Sequence, residues 1–482
     1  MSGHSNEAAQ HPVIHAFGDD ALGELDAVGV AERIRSGALD RRAVIEAAIA
    51  RIERVDPTLG ALRAECFDWA RHAAVDDGAP FAGVPTVIKD NNAVAALPTG
   101  MGSAAVRPHP ATRTDPPARQ LLAQGVVLLG KSAMPEFGLT PVSEYAGRPP
   151  TRNPWHTDRS AGGSSAGSGA LVAAGAVPIA HGNDAGGSIR IPAAANGLVG
   201  LKVTRGRLLD VAGVRQLPVN LVVEGVLTRT VRDTAHYLAS AEKYYHNRKL
   251  PRVGLVAHPS DRRLRIGLLT TDTRGVPAHP AMAEVARSAA ALLERMGHDI
   301  ETVDSDAIAD PRLIEDFQYY WGSVAMLIVI ANQVEHGRHF DPRDLEPFTR
   351  GLMAQTARHP LATARGMARL RRAHLRYEAV FLRRNLDIVL SPVLGQPIPL
   401  LGELATDQPF DDLLAKLTDY VAFTPVENVT GSPAIAVPYG MTADGIPGSI
   451  HLSAGRGGER LLLELAYELE AAAVFPRIQD QP

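Results

Sequence analysis

Residues 162–194 read GGSSAGSGALVAAGAVPIAHGNDAGGSIRIPAA, two Ser-Gly clusters separated by an apolar segment, with Ser188 placed 24 residues after Ser164. A flexible Ser/Gly linker would be bordered by polar chain. Core-like apolar segments lie on both sides here, so the clusters read as loops held inside a folded body. Glycine serves where backbone amides must approach a ligand closely, because it lacks Cβ and tolerates positive φ. In Asn183-Asp184-Ala185-Gly186-Gly187-Ser188, successive N–H groups can converge on one anion, as an oxyanion hole requires.

The flanking chain alternates helical and strand patterns. Ala27, Val30, Ile34, then Val44, Ile45, Ala48 and Ile52 recur at helical spacing, with Asp40 as a cap between two helices. Gly83–Lys89 and Val126–Leu129 read as strands, Arg119–Gln124 and Ser168–Gly175 as helices, and 141–162 as loop. Beyond an irregular basic stretch at His246–Arg263, a strand at Leu264–Leu269, a helix at Pro280–Arg295 and a strand at Asp299–Val303 imply a mixed or parallel sheet. Asp387–Leu390 and Ala434–Pro438 add core strands, and Glu459–Glu470 a late helix. The expected fold is α/β: one large unit over residues 20–475, with a mostly helical, pocket-shaping region at 310–385 and a mobile start at 1–19.

Composition excludes several classes. With 49 basic and 53 acidic residues the net charge is −4, and no basic tract suggests nucleic acid. Cys66 is the single cysteine, which rules out an internal disulfide and a cysteine metal cage. Its neighbours read as helix, and it is expected to be a buried structural thiol. The first residues lack a basic start and an apolar run, and no stretch reaches the ~20 apolar residues of a membrane helix. A cytoplasmic protein without metal or organic cofactor is expected; His109, His156 and His451 show no metal spacing, and no nucleotide loop or zinc motif occurs.

A serine hydroxyl needs a base to become a nucleophile. His181 stands near the loop, and Lys89, beside Val87 and Ile88, could serve if burial lowered its pKa from about 10.4 toward ~7 to 8. The residues alone leave both open. Gly163-Ser164-Ser165-Ala166-Gly167 also matches the G-x-S-x-G elbow of α/β-hydrolases, but that motif needs a strand directly before it, and 154–161 reads as loop.

Four segments taken together, GVPTVIKDN ending around Lys89, GKSAMPEFG at 130–138, GGSSAGSGA at 162–170 and GNDAGGSIRIP at 182–192, resemble the amidase signature family. TRNPW at 151–155 and GLKVTRGR at 200–207 look like its branch of nylon cyclic-dimer hydrolases. HAFGDDALGELDAV at 15–28, FTPVENVTG at 423–431 and LLLELAYELE at 461–470 look closer to its actinobacterial AmiC-type amidases. The resemblance implies a mixed β-sheet sandwiched by helices. It also implies a Ser-Ser-Lys triad of Ser188 as nucleophile, Ser164 as bridging serine on a cis peptide, and Lys89 as base. By the same carry-over, oxyanion donors fall on the amides of Ala185, Gly186, Gly187 and Ser188, and loop support on Ser165, Asp184 and Arg190. Ala133 departs from the asparagine many members carry there.

The expected substrate is a small aryl or aliphatic linear amide, with a homodimer a family-level expectation only. Met134, Trp321 and Phe423 are the expected pocket residues; ordinary core packing is the competing reading for Trp321 and Phe423, and for Tyr319, Tyr320, Thr424 and Asn428 beside them. Two further readings stand: the glutaminase subunit of a tRNA-dependent amidotransferase, and a catalytically silent binding protein on the same scaffold.

Overall fold

Capping chemistry starts the first two helices. Asp26 accepts from the Gly29 N–H at the head of Ala27–Arg35, and Asp40 accepts from the Ala43 N–H to open Arg41–Leu59. Each satisfies a donor that has no partner within its helix. The apolar positions spaced three and four apart, Val44, Ile45, Ala48, Ile52 and Val55, are then buried on one face.

The structure is a computed structural model that describes residues 12–473 and 475–481. In chain order its strands are β1 (Leu62–Glu65), β2 (Pro85–Lys89), β3 (Val127–Ser132), β4 (Arg152–Asn153), β5 (His156–Ser160), β6 (Ile179–Asp184), β7 (Val199–Lys202) and β8 (Val223–Thr228). After these come β9 (Arg265–Leu268), β10 (Asp299–Thr302), β11 (Ile388–Pro392), β12 (Ala434–Met441) and β13 (Pro447–Ala454). Eight of them form one mixed sheet in the order β10-β9-β11-β13-β12-β7-β8-β6; β9 pairs parallel with β10 and β11, and the remaining pairs are antiparallel. A second sheet, β1-β3-β2, lies beside its β6 edge, where Thr86 Oγ1 donates to the Ile179 carbonyl at 2.9 Å. Every residue of β2, β3, β6 and β8 is buried, which requires cover on both faces. The mixed α/β class expected from the sequence is the one observed.

The helix Ala166–Ala173 is buried along its whole length. Its small side chains let it sit close to β6 and to the helix Arg190–Asn196. This packing folds the two Ser-Gly clusters back on each other: the Ser165 N–H donates to the Ser188 carbonyl at 3.3 Å.

Three local expectations need correction. The stretch 141–162 is not all loop, because β4 and β5 pair antiparallel within it. Cys66 follows strand β1 rather than lying inside a helix; its Sγ donates to the Leu128 carbonyl at 3.2 Å, and burial pushes the thiol up to about 12. Of the start expected to be mobile, residues 1–11 lie outside the described residues. Residues 14–16 are tied down, Ile14 N–H to Pro154 O and Ala16 N–H to Ala174 O.

Candidate active site

Lys89 is the last residue of β2 and is fully buried. Its Nζ lies 2.7 Å from Ser164 Oγ and 2.5 Å from Asn183 Oδ1. An ammonium group in such a place loses its hydration, so burial pushes the Lys89 pKa down to about 7; the negative charges of Glu224 and Asp184 pull the other way and recover less. Lys202, also buried, is likewise pushed down, chiefly by burial, but its Nζ donates to the carbonyls of Ser432 and Val203. Weak basicity alone therefore does not single out Lys89; the contact with Ser164 does.

Ser164 follows a cis peptide bond from Gly163 and is 2% exposed. A Cβ built on Gly138 would lie 3.1 Å from its Oγ, and Gly138 lines the same cavity as Ser188. Lys89 and Ser164 thus meet at the buried end of β2, and Ser188 lines the open space beside Gly138. Ser165, the centre of the G-x-S-x-G match, is fully buried and donates from Oγ to the Asn183 carbonyl at 3.4 Å. A strand, β5, does precede that motif, contrary to expectation. It belongs to the separate β4-β5 ribbon, however, and delivers Ser165 into the core rather than to the top of the main sheet.

The turn after β6 is shaped by Asp184. Its Oδ1 accepts from the Gly187 N–H at 2.8 Å and its Oδ2 from the Ile189 N–H at 3.2 Å. Burial by itself would raise this carboxyl, but the Arg190 guanidinium overrides it and holds the group well below the usual carboxylate range. Gly187 has φ +127°, and a Cβ there would collide with Thr424 Oγ1, so neither the backbone nor the space admits a side chain. The Gly187 amide is already spent on Asp184, which removes it from the four expected oxyanion donors. Among the described residues, the N–H groups of Ala185, Gly186 and Ser188 have no protein acceptor.

Residues 43–463 match the family described as Amidase. A Mycobacterium tuberculosis protein described as "Putative amidase AmiC" is 48% identical over 472 residues, covering 96% of this chain and 98% of that one. The chain belongs to the amidase family. Among solved structures, a 6-aminohexanoate cyclic dimer hydrolase complexed with substrate superposes with a TM-score of 0.86 at 31% identity, over 96% of this chain and 99% of the other. A bacterial aryl acylamidase of the amidase signature enzymes gives 0.81 at 25% identity, over 95% and 99%.

In this amidase-family chain the cavity beside Ser188 encloses about 670 Å³, including the part open to solvent. Helix Leu313–His336 contributes Ile314, Phe317, Gln318 and Trp321; helix Phe410–Tyr420 contributes Leu414 and Leu417; the turn 138–141 closes the near side. Trp321 was expected there. Met134 and Phe423 were expected too, but neither lines it: Met134 is fully buried behind Gly138, and Phe423 packs in a core cluster with Val426 and Val429. Thr424 and Asn428 brace the turn after β6 from behind, Thr424 Oγ1 on Gly186 O and Asn428 Nδ2 on Asp184. Tyr320 donates its hydroxyl to the Val219 carbonyl instead of facing the cavity.

The contact of Asn183 with Lys89 was missed in the sequence. The signal available was its place directly before Asp184, but its meaning depends on Lys89, 94 residues earlier in the chain.

Proposed function

We propose that this chain hydrolyses carbon–nitrogen bonds of small linear amides through an acyl-Ser188 intermediate, with Ser164 and Lys89 moving the protons. The observation that carries the reading is the buried Lys89 amine, poised between charged and neutral near pH 7 and 2.7 Å from Ser164 Oγ.

Neutral Lys89 has one lone pair and two N–H donors. Asn183 Oδ1 can only accept, so it occupies one N–H and leaves the lone pair available to the Ser164 hydroxyl. Ser164 passes its proton to Lys89 as it takes one from Ser188, whose oxygen attacks the carbonyl carbon. The oxyanion is met by the amides of Ala185, Gly186 and Ser188. The proton held on Lys89 returns through Ser164 to the departing nitrogen, the C–N bond breaks, and water activated by the same relay releases the acid. Losing one such oxyanion donor costs roughly two to three orders of magnitude in other acyl-transfer sites.

The cavity supports an uncharged, apolar acyl group. Among the described residues no charged side chain lines it, and Phe317 and Trp321 stack within it at 5.4 Å and 16°. Glutamine would need partners for its α-ammonium and α-carboxylate, so the glutaminase reading is not favoured. The cyclic-dimer hydrolase and the aryl acylamidase both bear names of enzymes acting on uncharged amides, which supports the same class.

Acid release from acetyl, hexanoyl and benzoyl amides tests the proposal. Ser188→Ala and Lys89→Ala should each lower the rate by about four orders of magnitude. Retention of full activity by both variants defeats the mechanism. A fluorophosphonate probe should label the unaltered chain at Ser188; a folded chain that resists labelling is a silent scaffold.

A further inference from the structure

Asn183 on β6 lies directly opposite Glu224 on β8 in the antiparallel register. Directly opposed side chains project to one face, as do residues two apart on one strand. His181, Asn183 and Glu224 therefore crowd the same side of the sheet edge, where Asn183 holds Lys89. There His181 Nε2 meets Glu224 Oε2 at 3.0 Å, with the two residues 1% and 2% exposed. No step of amide cleavage uses this pair.

The contact needs a proton between nitrogen and oxygen. His181 Nδ1, also buried, has no partner among the described residues. An imidazolium would carry a second N–H there with nothing to receive it, whereas a neutral ring donating from Nε2 leaves only a lone pair. The ring accordingly donates from Nε2 to Glu224 Oε2, and the other carboxyl oxygen, Oε1, is likewise buried without a partner among the described residues. The negative charge of Asp184 is answered at contact distance by Arg190, while Glu224 faces a neutral ring. Glu224 also acts on Tyr237 from the helix Val231–Tyr244, on Asp210 and on Lys89. Lys89 alone among them is an amine.

We propose that His181 and Glu224 form a positioning element for the lysine base: the ring fixes the carboxylate, and its single charge sets how readily Lys89 takes a proton from Ser164 and returns it. The inference rests on the reading of Lys89 as the base. A buried amine with no counter-charge would be too weak to accept the proton, and one paired directly with a carboxylate would hold it too tightly to return it. A carboxylate held one residue away, across the strand, lies between these extremes.

The experiment compares pH profiles of kcat/KM for the full chain and its variants on one benzoyl amide, together with the pH dependence of fluorophosphonate labelling, which needs nucleophile activation but no turnover. Glu224→Gln keeps the shape and an oxygen acceptor for His181 but removes the charge. Its acid limb should move down by about one pH unit in both readouts, with the plateau rate reduced about tenfold because the base is weaker. Glu224→Asp, a methylene shorter, should fall between it and the unaltered chain, and keeps the test available if Glu224→Gln does not fold. His181→Gln retains a donor to Glu224 and should leave the limb in place. An unmoved or raised limb in folded Glu224→Gln or Glu224→Asp overturns the proposal, as does a shift in His181→Gln equal to that of Glu224→Gln. Failure of the base assignment itself would look different: Lys89→Ala would retain activity and the same acid limb.

Discussion

Arg190 closes back on Asp184 through two bonds of 3.0 Å, Nε to Oδ2 and Nη2 to Oδ1, with both side chains fully buried. Nη1 reaches Glu427 Oε2 and His451 Nε2, and Nη2 also reaches Asn428 Oδ1 and the Thr424 carbonyl. One planar guanidinium thereby ties the turn after β6 to the segment 424–428. Lysine keeps the charge but has no fork with which to hold these acceptors together. Arg190→Lys should cost about 3 kcal/mol, near the lower end for a broken buried pair, and should reduce activity further by loosening the turn. A denaturant midpoint equal to that of the unaltered chain would contradict this account.

In the proposed mechanism Lys89 acts as a base only when neutral. Its pKa near 7 places the acid limb of kcat/KM there, with activity rising through pH 7 and falling about tenfold per unit below it. The sign follows from protonation silencing the base. Lys89→Arg, permanently charged, should be inactive across the whole range. A profile flat from about pH 5 to about pH 9 would be incompatible with a lysine base.

How far the sequence reaches is visible in particular residues. The capped helices at 27–59, the strand ending at Lys89 and the small-residue helix after Ser164 follow from periodicity, caps and apolar runs, all of which are local. The β4-β5 ribbon escaped because its residues, TRNPWHTDRS, lack alternating apolar positions; cross-chain bonds such as Asn153 Nδ2 to the Ala195 carbonyl stabilise it. The cavity was legible only in part. Helix Leu313–His336 is apolar on most sides, so the spacing of Ile314, Phe317 and Trp321 does not mark which face meets Ser188. That choice is made by the helix Phe410–Tyr420 packed across the opening. The contact of Asn183 with Lys89 likewise exists only once β2 lies beside β6.

Lowering the pKa of Lys89 also costs stability, in a window that can be measured. The unfolded chain holds this proton up to about pH 10.4, whereas the folded chain releases it near 7. Between those values the unfolded state binds more protons, so stability rises with pH by about 1.4 kcal/mol per unit from this group. Lys89→Met lacks the effect. Unfolding free energies measured at several pH values should show the variant's relative stability greatest at or below pH 7 and declining steadily toward pH 10. A difference independent of pH would mean that the folded amine is charged.

Trp321 stacks on Phe317 and donates from Nε1 to the Leu139 carbonyl at 3.1 Å, so it both walls the cavity and holds the turn 138–141. The two roles separate by substitution. An apolar wall touches the acyl group equally in the ground state and the transition state, so its loss raises KM and leaves kcat nearly unchanged. Trp321→Phe retains a ring and removes the bond to Leu139. If that bond positions Gly138 beside Ser164, kcat should fall for acetyl and benzoyl amides alike. Trp321→Ala should add a KM increase of roughly tenfold for the benzoyl amide, in line with the ~1–3 kcal/mol of a lost apolar contact, and little for the acetyl amide. Equal KM increases for both would mean that the acyl group binds elsewhere, and the uncharged cavity would then have to receive the leaving amine.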